Sequence, residues 1–359
     1  MASGLHQEQI SNTKTMNKIN VILADCEVEE IESFTNGISD GLNEKFSVIS
    51  AICNWGHRSI ISNLRRYFIY FAFPFKIFLQ RKKYDTIICW QQFFAINFAF
   101  FCRLFNVRKC CKVVAVNFTF KEKTGLSGRI FNWYMRYSTN GFIDIYHIPS
   151  YSFAKRCSEE LCIDISKFAV TGFGVPDLIT ADLGIPPCRR EYCLSIGRSN
   201  RDFDFLVNVW SQPQLAEEYL IIASDAWKPA AALPENVEHR TDIGYTHSFK
   251  WIKHCKMNIC SMMDGNMASG DTVLLTGMMF GKPAAITVPS TLENMYVTDG
   301  VTGICIPKDA SKAAIILSSY LEDKSRLDAL GLAAREEYER HFTRYNMGIE
   351  LSAALKGIF

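Results

Sequence analysis

The sequence predicts an α/β molecule made of two Rossmann-like, doubly wound domains facing a central cleft. Three observations carry that expectation. A chain of 359 residues is too long for one ordinary domain and comfortable for two. Short apolar runs alternate with longer amphipathic ones, as parallel strands joined by helices require. The alternation breaks at a Gly- and Pro-rich stretch between Gly174 and Pro187 and then restarts. With 48% hydrophobic and 21% charged residues, the composition excludes disordered and low-complexity classes and supplies a core for each half.

Residues 1–15 are polar and aperiodic, Met16 is a natural start, and the segment is expected to be a leader or loose terminus. The first domain, 16–177, begins with a strand at 20–24, an acidic helix at 27–42 and a strand at 46–52. A long helix at 58–82, a strand at 86–90, a helix at 93–106 and a strand at 112–117 continue the rhythm. Helices at 127–138 and 150–161 and strands at 142–147 and 168–172 complete it. The second domain, 178–344, opens with a strand at 192–196, a turn at 197–202 and a helix at 203–210. Strands follow at 219–223, near Val237, and at 257–262, 284–287 and 303–306, with helices at 247–254, 271–280 and 292–297 among them. Three helices close the chain around 309–355, and residues 345–359 are expected to form a helix that crosses back to the first domain.

Charge is spread very unevenly. Residues 58–136 hold 15 Lys or Arg against Asp85 and Glu122, a surplus of 13, although the whole chain carries only +2. The same window contains 20 of the 46 aromatic residues. Basic and aromatic together point to an anionic partner. Ile61, Leu64, Phe68, Phe71, Phe75 and Phe78 recur at three- and four-residue steps, which puts them on one helical face. That stripe fits either an ordinary core helix or a helix lying on a membrane surface. Pro74, Lys76 and Arg103 interrupt the longest apolar runs, so no segment is long enough to span a bilayer. No recognisable nucleic-acid-binding motif is present, and no nucleic-acid partner is expected. Thirteen cysteines without a Cys-x-x-Cys spacing suit a reducing cytosol better than a disulfide framework or a zinc site.

In a doubly wound fold, ligands bind at the carboxyl ends of strands. Two loops in the second half suit an anion there. Gly197-Arg198-Ser-Asn-Arg201-Asp202 follows a strand and carries two guanidinium groups, planar forks of donors matched to phosphate. A solvated turn with Arg201 paired to Asp202 is the alternative. Ser269-Gly270-Asp271-Thr272 opens an apolar helix with capping residue types, and Gly270 admits a ligand to the backbone N–H groups. Simple capping of that helix by Ser269 or Asp271 is the alternative there.

The runs "SGDTVLLTGMMFGKPAAIT", "YVTDGVTGICIP" and "AREEYERHFT", with "LSIGRSNRDFDFLV" before them, resemble the donor-binding domain of glycosyltransferases of the GT-B fold, GT4 type. The likeness covers about 150 residues of the second half; the first half shares only the βαβ rhythm. The resemblance implies a GT-B architecture and a glycosyltransferase that moves a sugar from a nucleotide-sugar donor to a glycan or glycolipid acceptor. It implies a diphosphate held by Gly197, Arg198, Arg201 and the loop Ser269, Gly270, Asp271 and Thr272. It also implies base or ribose contacts from Asp242, Ile243, Gly244, Tyr245 and Thr276. This family usually works without a metal, so no metal or other cofactor is expected. Two glutamates usual in the family are replaced, with Ala268 and Thr276 at their positions, and Asp264 and Asp271 are the nearby carboxylates. A non-catalytic, nucleotide-binding partner subunit is therefore the alternative function. Candidates for a catalytic group in the first domain are Asp25, His57, Lys121 and Glu122, chosen by position after strands. The block 58–136 would hold the enzyme peripherally on the inner, cytoplasmic face of an anionic membrane.

Overall fold

The computed structural model describes residues 18–53 and 60–358. Residues 1–15, His57 and Arg58 therefore lie outside the described residues, as does the side chain of Tyr245. The first unit runs β1 (Ile19–Ala24), α1 (Val28–Leu42), β2 (Phe46–Ser50), α2 (Ile60–Leu79), β3 (Tyr84–Cys89), α3 (Gln92–Leu104), β4 (Lys112–Ala115), α4 (Gly125–Thr139), β5 (Ile145–Ile148), α5 (Tyr151–Leu161) and β6 (Phe168–Val170). Its six strands are parallel in the order β2-β1-β3-β4-β5-β6. The second unit runs β7 (Cys193–Ile196), α6 (Phe203–Trp210), β8 (Leu220–Ala223), β9 (Val237–Arg240), α7 (Tyr245–His254), β10 (Met257–Cys260), α8 (Asp271–Met279), β11 (Ala284–Val288), α9 (Thr291–Tyr296) and β12 (Ile304–Pro307). Its parallel sheet has the order β12-β11-β10-β7-β8-β9. Three closing helices follow, α10 (Ala310–Leu321), α11 (Lys324–Glu337) and α12 (Arg344–Leu355).

Both sheets are covered on both faces, which is why β1, β3, β7, β8 and β10 read as nearly unbroken apolar runs. Helix starts follow the capping chemistry of the sequence. Ser150, Asp202, Asp309 and Asp323 each accept a backbone N–H of the first helical turn. The strand expected at 142–147 begins only at Ile145, because Asp144 uses its carboxylate to accept the Val113 N–H at 2.8 Å, and Phe142 packs on the core from a turn.

Helix α2 runs through Pro74 without ending. Proline lacks the N–H that would meet the Tyr70 carbonyl one turn earlier. The Asn97 side chain of α3 donates to that carbonyl at 2.6 Å, and Asn97 in turn accepts from the Tyr134 hydroxyl of α4. A buried amide thus binds three helices where the backbone ladder is interrupted.

The two units touch along a seam. Phe173 donates its N–H to the Tyr296 hydroxyl at 3.2 Å, and Val175 donates to the Phe342 carbonyl at 3.1 Å. Helix α12 lies against α1 of the first unit, burying Met347, Leu351 and Leu355 among Ile31, Phe34 and Ile38. The approach needs small residues: a Cβ on Gly348 would sit 2.5 Å from the Phe34 carbonyl oxygen, and one on Gly37 would overlap the Tyr345 carbonyl.

Candidate functional site: the loops at the carboxyl edge of the second sheet

Strands β7 and β10 are neighbours, so the loops that follow them meet. Arg201 folds back under the end of β7. Its Nε donates to the Ile196 carbonyl at 3.2 Å and one terminal nitrogen to the Ser199 carbonyl at 3.3 Å, leaving the residue only 8% exposed. Gly197 is required for this path, since a Cβ there would stand 2.7 Å from the Arg201 Nε. The guanidinium ends against Gly270, whose missing Cβ would be 3.4 Å from a terminal nitrogen. Gly270 is the residue before α8 and adopts φ +95°, a left-handed conformation that other residues rarely take. Gly270 has no side chain with which to cap α8, and in the first turn the Asp271 carboxyl takes up the Asp271 N–H.

Among the described residues, Arg201 has no carboxylate ion-pair partner. The pairing of Arg201 with Asp202 weighed above is not what the structure contains, because Asp202 caps α6 by accepting the Phe205 N–H at 3.2 Å. A buried guanidinium beside a helix N-terminus that begins at a glycine is a site for negative charge. Asn200 locks the two loops together and was missed by the reading of the sequence. Its Nδ2 donates to the Asp264 carbonyl at 2.9 Å and to Ser269 Oγ at 2.8 Å, and its Oδ1 accepts the Asp264 N–H at 2.8 Å. Its type in a Gly-Arg-Ser-Asn turn was visible; the partner 69 residues away was not.

The other residues named from the sequence are placed as follows. Arg198 is about half exposed and pairs with Asp225 after β8, Nε to Oδ1 at 2.8 Å. Ser269 and the backbone of Thr272 lie at the mouth of the site and are partly exposed. Asp271 turns its carboxyl inward; burial raises it above the usual carboxylate range, opposed by a hydrogen bond from Tyr296 and by the charge of Arg201. Thr276 is 2% exposed and donates its hydroxyl to the Thr272 carbonyl at 2.6 Å, so it faces its own helix rather than the open side of the loop. Asp242 is held by Arg240 through two contacts, at 2.9 Å and 2.5 Å, which lower its carboxyl below the usual range. Ile243 packs on the second core, and Gly244 precedes α7. Together the loops after β10, β7, β8 and β9 form one row along the sheet's carboxyl edge.

The first unit faces this row. Arg156 of α5 lies 3.8 Å from Asp264, and Ala268 packs against the core of the first unit. Asp25 sits just past β1, 7% exposed, accepting from Gln91 Nε2 at 3.1 Å; Gln91 also bonds the Tyr70 hydroxyl at 3.2 Å. Burial raises the Asp25 carboxyl, and the Gln91 bond opposes this. Lys121 is exposed, and Glu122 is taken up by Arg136 of α4 at 2.8 Å. His147, which the sequence did not single out, is fully buried and held down to about 4 by burial. Its Nδ1 accepts the Asn117 N–H and its Nε2 reaches the Thr171 carbonyl, both at 3.2 Å, so it ties β4, β5 and β6 as a neutral ring.

Two parallel six-stranded sheets with flanking helices, joined across a seam and closed by a returning helix, define the GT-B class of fold. Solved structures of that class align along almost the whole chain. Anabaena HepE in complex with UDP and glucose matches with a TM-score of 0.63 at 12% identity, covering 94% of this chain and 100% of the other. Sucrose-phosphate synthase from Thermosynechococcus elongatus matches with a TM-score of 0.63 at 12% identity, covering 95% and 99%. The lipopolysaccharide outer core galactosyltransferase WaaB, in its apo form, matches with a TM-score of 0.55 at 12% identity, covering 95% and 100%. No protein-family model matches the sequence. No curated protein matches it either.

Proposed function

We propose that the chain is a glycosyltransferase that moves a sugar from a nucleotide-sugar donor to a lipid-linked glycan acceptor at a membrane surface. The observation that carries this reading is Arg201: buried, with no carboxylate at ion-pair distance among the described residues, and set against the start of α8 at Gly270. In the transfer, an acceptor hydroxyl oxygen bonds to the anomeric carbon while the bond from that carbon to the diphosphate oxygen breaks, and the hydroxyl proton passes to a base of the first unit, for which Asp25 just past β1 is the candidate. The departing nucleoside diphosphate takes up negative charge where Arg201 and the α8 N–H groups lie. This assigns leaving-group stabilisation to the protein's own cation and helix rather than to a metal. HepE, with UDP and glucose bound on the same fold, supports the donor class. Polysaccharide or glycolipid assembly is the pathway this reading implies.

Docking at the cytoplasmic face of the membrane falls to α2. Ile61, Leu64 and Phe68 on it are 78%, 65% and 72% exposed, so the stripe seen in the sequence is largely uncovered. Among the described residues no helix is long and apolar enough to cross a bilayer.

One feature favours the second reading, a non-catalytic nucleotide-binding partner. Ala268 and Thr276 offer no carboxylate beside the site, and the Thr276 hydroxyl is already spent on its own helix. One experiment separates the two readings and checks the anion site. A thermal-shift panel of UDP, GDP, ADP, CMP and their sugar conjugates should show stabilisation by one nucleoside diphosphate, about 2.7 kcal/mol at a hundredfold its Kd. Arg201→Gln should weaken that ligand at least about tenfold, while Arg198→Gln, already paired with Asp225, costs less. Binding without sugar transfer or donor hydrolysis would favour the partner reading, and no response by a folded chain to any nucleotide would remove both.

A further inference from the structure

A second basic feature lies on the first unit, away from the donor loops. At 100° per residue, Leu126, Arg129, Ile130, Trp133 and Tyr137 fall on one side of α4. Leu126, Ile130 and Trp133 there are 77%, 61% and 58% exposed, three large apolar side chains in a row on the surface. Beside them is an open pocket of about 440 Å³, lined by Arg103, Arg129 and Arg136 against one carboxylate, Glu122, with Trp133 and Tyr137 as aromatic walls. Three guanidinium groups against one carboxylate leave a surplus of two positive charges.

The walls are held in place. Trp133 stacks on Tyr137 with ring centroids 5.3 Å apart. Arg103 lies 4.4 Å over the Tyr137 ring and donates to the Tyr137 carbonyl at 2.8 Å. Arg136 is braced by Glu122 at 2.8 Å and by the Glu160 carbonyl at 3.0 Å. Among the described residues neither Arg103 nor Arg129 has a carboxylate partner.

We propose that this pocket binds the phosphate of an anionic phospholipid headgroup, with Leu126, Ile130 and Trp133 entering the acyl boundary. Guanidinium groups recognise the phosphate, and an amphipathic indole beside them suits the interface between headgroup and chain. The apolar rim is what selects a lipid over a free anion, which charge alone would hold. The proposal rests on the docking reading of α2, to which α4 is joined where Phe71 meets Tyr134 at 6.3 Å between centroids.

The test uses the full chain. Co-sedimentation with phosphatidylcholine vesicles containing phosphatidylglycerol compares wild type, Arg103→Gln/Arg129→Gln, and Lys82→Gln/Lys83→Gln, which removes the same charge from exposed positions outside the pocket. The pocket variant should lose at least about tenfold in partitioning and the matched variant less than about threefold. Equal losses would mean diffuse electrostatics and overturn the pocket. In parallel, short-chain phosphatidylglycerol below its micellar concentration is titrated against tryptophan emission in wild type, Trp133→Phe and the pocket variant. A saturable change that Trp133→Phe abolishes and the pocket variant weakens supports the pocket even if vesicles are not bound, in which case only the docking reading falls. No saturable binding of the short-chain lipid, or competition by inorganic phosphate at equal affinity, would overturn the pocket whatever the vesicles show.

Discussion

At the scale of single residues, environment separates side chains of the same type. Arg198 and Arg201 stand three positions apart in one turn, yet one is half exposed on Asp225 and the other is buried against Gly270. Among the described residues the first has a carboxylate ion-pair partner and the second does not. The same reasoning applies to Asp25. Its carboxyl is raised in the folded chain because burial disfavours the charged form. The sign follows from proton binding: between the unfolded and folded values the native state holds the extra proton, so stability falls as pH rises through that window. Asp25→Asn should therefore raise the melting temperature at pH 7 and leave it nearly unchanged well below pH 4, measured by scanning calorimetry at both. If Asp25 takes the acceptor proton, the same stabilised variant loses turnover while keeping nucleotide binding. A variant less stable at pH 7 than wild type would show that the Gln91 bond outweighs the burial cost.

At the scale of elements, α2 shows how a rule is broken and repaired. Pro74 within a helix costs the Tyr70 carbonyl its partner, and Asn97 supplies one from α3. Asn97→Ala should destabilise the first unit by about 1 to 3 kcal/mol, because a buried carbonyl and the Tyr134 hydroxyl both lose a bond. Urea unfolding would read it, and adding Pro74→Ala to that variant should recover part of the loss by restoring the backbone N–H. No recovery would mean that the Tyr134 bond carries the effect.

Much of the element pattern was legible along the chain. Strands buried on both faces announce themselves as Val/Ile/Leu runs, and helix starts at Ser150, Asp202, Asp309 and Asp323 announce themselves by type. The two anion-suited loops were equally visible, since Gly197 and Gly270 punctuate the ends of apolar segments. What the chain did not reveal was which groups in those loops were already engaged. Thr276 reads as an available hydroxyl until its helix is built and the Thr272 carbonyl comes within 2.6 Å. Glu122 reads as a candidate acid or base until Arg136, 14 residues on, folds back over it.

At the scale of the whole molecule, α12 adds to the seam by returning to pack on the first unit. It packs on α1 through glycines, so a side chain at Gly348 must push the helices apart. Gly348→Val should lower the melting temperature and speed amide exchange in α1 and α12 together, with the strands of the second sheet unaffected. Faster exchange spread evenly over both sheets would instead mean that the units unfold as one.

The sequence alone determined the α/β class, the two parallel sheets and the surplus of positive charge in the first half, because periodicity and composition are local and need no partner to be read. Tertiary structure alone decided that, among the described residues, Arg198 has a carboxylate ion-pair partner and Arg201 does not, that Asn200 staples two loops, and that Pro74 is answered by Asn97. The physical reason is common to all three. Each depends on a hydrogen bond or charge supplied by a residue distant in the chain, and the net value of such a group is set by what already satisfies it.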